Sequence, residues 1–78
     1  MDFHPSALKH GITHDDTEHA IRHAMVIEGQ DDGLTLFLGP SPAGTMLEVV
    51  TPRRDDDADL IIHAMAMRSK YRPLIEGW

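Results

Sequence analysis

Leu60 to Leu74 reads LIIHAMAMRSKYRPL, and whether its first half is strand or helix decides the fold. Leu60-Ile61-Ile62 is an apolar triplet of the kind that fills a strand buried on both faces. A strand from about Asp59 to Met65 is therefore expected at the centre of a sheet. The period then changes, and Arg68, Lys70, Tyr71 and Arg72 fall within five positions. No acidic residue occurs between Leu60 and Ile75, although the chain carries a net charge of −6. A last helix from about Ala66 is expected to be disturbed by Pro73, which removes a donor and crowds the preceding turn. His63 stands where the apolar run meets the basic stretch. Any active or anion-binding surface is expected there.

Upstream of this stretch the period is two. Thr45 to Thr51 alternates, with Leu47 and Val49 on one face and Met46, Glu48 and Val50 on the other. Leu34, Leu36 and Leu38 alternate with Thr35 and Phe37 in a preceding strand, and Val26-Ile27-Glu28 forms a short first one. Gly29 to Gly33 and the proline-rich Gly39 to Gly44 separate these strands as turns. Short connections imply antiparallel pairing.

Further upstream the period is helical. Thr13 suits an N-cap, and Asp15 and Asp16 favour the positive end of a helix from about His14 to Met25. Its apolar face carries Thr17, Ala20, Ile21, Ala24 and Met25, with His19, Arg22 and His23 opposite. A shorter helix before it starts near Pro5 and stops at Gly11. The fold class is thus α+β: two N-terminal helices, a four-stranded antiparallel sheet and a C-terminal helix, with the helices on one face.

Seventy-eight residues make one domain near the lower size limit for unstapled folding, and the absence of cysteine excludes disulfides and thiolate zinc sites. A 41% apolar fraction supports a thin core. Self-association or a protein partner is expected to cover Met46, Val50 or the leucines of the second strand. No apolar run reaches the ~18 residues of a membrane span. The N-terminus lacks the layout of a signal peptide, so a cytoplasmic location is expected. The acidic total argues against a protein that coats nucleic acid uniformly, whereas one basic island suits a local phosphate contact.

Six histidines raise the question of metal. His10 and His14 are four apart but straddle a helix start. His19 and His23 share a helical face, yet no carboxylate is placed to complete a site of three ligands. Both pairs are read as solvated, and neither metal nor cofactor is expected. Asp55-Asp56-Asp57-Asp59 lacks the spacing of a calcium loop and reads as solvated too. The constellation His63, Arg68, Lys70 and Tyr71 is chemically richer. Cleavage of RNA by its own 2′-hydroxyl needs a base, a proton donor for the leaving oxygen and cations for the phosphorane charge. Histidine, tyrosine and lysine exchange protons, and arginine clamps phosphate. The same residues also fit a plain structural role, a satisfied core histidine beside cations that solvate a terminal helix.

Lys9-His10-Gly11-Ile12-Thr13 followed by Glu18 resembles the K-H-G-I/V-S/T … E opening of BrnT-like toxins. Ile61 to Tyr71 resembles that family's final strand and helix. The resemblance implies a compact RelE-type ribonuclease from a bacterial type II toxin–antitoxin pair, acting without metal, with an antitoxin-like partner and RNA as substrate. With such an activity, the residue chemistry makes His63, Arg68, Lys70 and Tyr71 the candidates for catalysis and Lys9, His10 and Arg72 those for substrate contact. Two departures stand out. Those toxins are basic, and where they read Ser-Ala-Arg this chain has His63-Ala64-Met65. Arg53 and Arg54 are the candidates to replace the missing arginine at the substrate. A non-catalytic interaction module with the same fold is the alternative.

Overall fold

The computed structural model describes residues 2–30, 33–52 and 60–76. Its centre is an antiparallel sheet of four strands, β2 (Val26–Gly29), β3 (Leu34–Pro40), β4 (Met46–Pro52) and β6 (His63–Ala66), in the spatial order β2-β3-β4-β6. Two short strands, β1 (Asp2–Phe3) and β5 (Leu60–Ile61), pair in parallel beside it. The alternating strands lie where their period of two puts them. Leu36 opposes Val50, and Phe37 opposes Val49, so one parity of each strand packs on each side.

The two sides have separate cores. Helix α1 (His14–Arg22) covers the first, where Ala20 packs with Leu47, Val49, Ile61 and Ala64. On the second, Met67, Tyr71 and Ile75 pack on Leu36, Leu38 and Val50. The helices therefore occupy both faces of the sheet rather than one. Both parities of β3 and β4 are apolar, and a sheet with two oily faces must be covered twice. Met46, Val50 and the β3 leucines are consequently covered within the chain. Among the described residues, the large apolar ones left exposed are Leu8, Met25, Ile27 and Leu74.

Thr13 caps α1 as its residue type demands, its hydroxyl accepting from the Asp16 amide at 3.1 Å. The helix stops at Arg22 instead of Met25. The Met25 amide already donates to the Leu38 carbonyl at 2.8 Å, and sheet pairing overrides one more helical turn. Gly39 lets α1 sit this close: a Cβ there would overlap the Ala20 carbonyl.

The first of the two expected N-terminal helices is only a 3₁₀ turn, Pro5–Leu8, so α1 is the single N-terminal α-helix. Gly11, at φ 76°, ends the segment before an α-helical register can establish. Tertiary contacts hold the turn. Ala7 is fully buried, and the Ser6 hydroxyl donates to the Ile62 carbonyl at 2.7 Å.

Of the strand expected over 59–65, the described part is broken in two: β5 pairs only with β1, and β6 is an edge strand of the four-stranded sheet rather than a central one. Ile61 accepts from the His4 amide at 2.8 Å, whereas the Ile62 amide turns the other way, to the Val50 carbonyl at 3.0 Å. Ile61 is buried and Leu60 and Ile62 half-buried where the N-terminal segment flanks them, with Ile61 joining one core and Ile62 packing against the other. After Ala66 the chain forms a 3₁₀ turn, Ser69–Tyr71, and then α2 (Arg72–Glu76). Pro73 sits in the first turn of α2, where it is tolerated. No helix among the described residues is long and apolar enough to cross a membrane.

Candidate functional site

Glu48 lies in the middle of β4, between Leu47 and Val49, and is completely buried. Strand register explains its partners. Met65 lies opposite Glu48 and His63 opposite Val50, so His63 shares Glu48's face, one pleat along. After β6 the chain turns back across that face and brings Arg68 over the carboxylate.

The carboxylate is fully engaged. Oε1 accepts from the Arg68 backbone amide at 2.8 Å and from Arg68 Nε at 3.1 Å. Oε2 accepts from Arg68 Nη2 at 2.7 Å, from Arg68 Nε at 3.1 Å and from His63 Nε2 at 3.0 Å. This is the two-pronged arginine–carboxylate geometry that gives strong charge-assisted bonds. Burial pushes the Glu48 carboxyl up, but the bonds from Arg68 and His63 outweigh it and hold the carboxyl below its ordinary range. The same bond to Glu48, against some desolvation, raises the Arg68 guanidinium further.

A charged carboxylate can only accept, so Nε2 of His63 carries the proton in this bond. In the neutral ring Nδ1 then holds the lone pair and is the proton acceptor. The bond to Glu48 thus fixes the tautomer and the ring orientation of His63.

His10 meets the His63 ring edge to face, with centroids 5.8 Å apart. Tyr71 lies beneath two cations: Arg68 Cζ is 5.8 Å and Lys70 Nζ 5.0 Å from its ring centroid. The fold thus gathers His10, His63, Arg68, Lys70 and Tyr71 around one edge of the sheet. Lys9 is exposed next to His10 in the chain. Arg72 makes an exposed pair with Glu76 at 3.4 Å and joins none of these contacts. Arg53 and Arg54 lie outside the described residues.

Sequence reasoning missed Glu48, the residue that organises the group. A signal was present, because an acid flanked by Leu47 and Val49 in an otherwise apolar run is a buried charge in need of partners. Arg68 also differs from a free phosphate clamp. Two of its side-chain nitrogens serve Glu48, and its side chain is 46% exposed, so an anion can approach from the solvent side.

The described residues enclose no cavity, and no group of three or more metal-ligating side chains occurs among them. The chemistry on offer is proton transfer by His63 and anion stabilisation by Arg68 and Lys70. Comparison with protein-family models, with curated proteins and with solved structures gave no significant match.

Proposed function

We propose that the chain is a toxin-like ribonuclease of the BrnT type that cleaves RNA without metal, through its own 2′-hydroxyl. The observation that carries this reading is the buried Glu48 carboxylate holding His63 and Arg68 together at the sheet edge. A hydrophobic residue would fill that position at lower desolvation cost, so a buried charge here calls for a role beyond packing.

In this reading His63 Nδ1 takes the 2′-hydroxyl proton as the oxygen attacks phosphorus. Arg68 and Lys70 face the charge that builds on the phosphorane. Tyr71 or Lys70 protonates the departing 5′-oxygen, and Lys9, His10 and Arg72 contact the flanking backbone. Glu48 is a positioning residue: it sets the His63 tautomer and touches no substrate.

A second reading, a non-catalytic interaction module, is supported by the exposed Met25 and Ile27 beside edge strand β2. Induced expression in a bacterial host separates the two. The ribonuclease reading expects growth arrest with RNA decay, both lost in His63→Ala. Normal growth with intact RNA at high soluble expression favours the module.

A further inference from the structure

We propose that His19 and His23, at the C-terminal end of α1, form a chelating site for a transition-metal ion of the imidazole-preferring class, Zn²⁺, Ni²⁺ or Cu²⁺. The site is independent of the Glu48 cluster and of the ribonuclease reading.

Three features of the pair support this. Residues four apart on a helix present their side chains together, and here the two rings are 4.3 Å apart between centroids with a tilt of 34°. Both imidazoles are thus already gathered before any ion arrives. His19 Nδ1 lies 2.8 Å from the Pro40 carbonyl oxygen, which only accepts, so Nδ1 carries the proton and Nε2 keeps its lone pair. An imidazole whose far nitrogen donates to a carbonyl is the usual state of a metal-ligating histidine, with tautomer and ring orientation set in advance.

The electrostatics favour a cation as well. The end of α1 carries the negative pole of the helix. The neighbouring cation in that turn, Arg22, is paired with Glu18 at 2.8 Å. No third histidine, cysteine or carboxylate joins the pair among the described residues, so the remaining coordination positions fall to water and the ion is exchangeable. Imidazole nitrogens select zinc, nickel and copper over magnesium and calcium.

The test uses tag-free, metal-stripped full-length protein titrated with Zn²⁺ and Cu²⁺ near neutral pH, by calorimetry and by NMR of the histidine ring protons. One ion is expected per chain, with the His19 and His23 signals shifted by Zn²⁺ and broadened by Cu²⁺. His19→Ala and the exposed His23→Gln are each expected to weaken binding by at least about tenfold, the lower bound for loss of even an outer-shell partner. His10→Ala is expected to leave it unchanged. Absence of binding by the parent protein overturns the proposal. So does undiminished binding by the folded His23→Gln protein, or metal-induced shifts confined to His4, His10, His14 and His63.

Discussion

Glu48 is the residue on which the site and part of the stability both depend. Its carboxyl sits below the ordinary value of 4.5, so in acid the folded state binds fewer protons than the unfolded chain. The stability it contributes is complete above that ordinary value and is lost as pH falls through the lower folded one. Thermal melts across the acid range are expected to show this loss, with a shallower slope in Glu48→Gln. Arg68→Met alone strips the buried carboxylate of its guanidinium and leaves it only the backbone amide of position 68 and the His63 ring. It is therefore expected to lower Tm more than the double variant Glu48→Gln with Arg68→Met, and melting all three proteins checks this. His63, Arg68, Lys70 and Tyr71 could be grouped from sequence because they lie close along the chain. Glu48 was missed because that residue's partners are fifteen and twenty positions away. Only the β4–β6 register brings them together.

Among the elements, the α1–β3 contact is the tightest. The Ala20 carbonyl lies where a side chain on Gly39 would go. Gly39→Ala is expected to destabilise by roughly 1–3 kcal/mol, as overpacking does, measured by chemical denaturation. Thr13→Ala removes the cap and is expected to cost ~1 kcal/mol in the same assay. The strands from Val26 to Thr51 were legible because their period of two and their turn residues agree. The ends of α1 and the split at Ile62 were not, since each is decided by an amide that pairs with a distant strand. Pro5–Leu8 illustrates the same limit: its local signals suit a helix, and its docking through Ser6 and Ala7 makes it a single 3₁₀ turn.

For the whole molecule, the acidic net charge and the local basic cluster set opposing expectations for RNA. The acidic body repels a polyanion at long range, while the stretch from Arg68 to Arg72 attracts it locally. Exposed Met25 and Ile27 at the β2 edge offer the contact through which association would occur. Light scattering is expected to show concentration-dependent association that Ile27→Lys weakens. The central claim is that His63, held by Glu48, cleaves RNA without metal. Gln at position 48 has one acceptor oxygen where the carboxylate has two. With that oxygen bonded to Arg68, its amide faces His63 and imposes the wrong tautomer. The most direct measurement incubates purified protein with a single-stranded RNA oligonucleotide in excess chelator and identifies the product ends by mass. The account predicts fragments with 2′,3′-cyclic phosphate and 5′-hydroxyl ends, a rate lower by about 10²–10⁴ in His63→Ala, and a smaller loss in Glu48→Gln. Intact RNA, or equal cleavage by His63→Ala prepared in the same way, would contradict it.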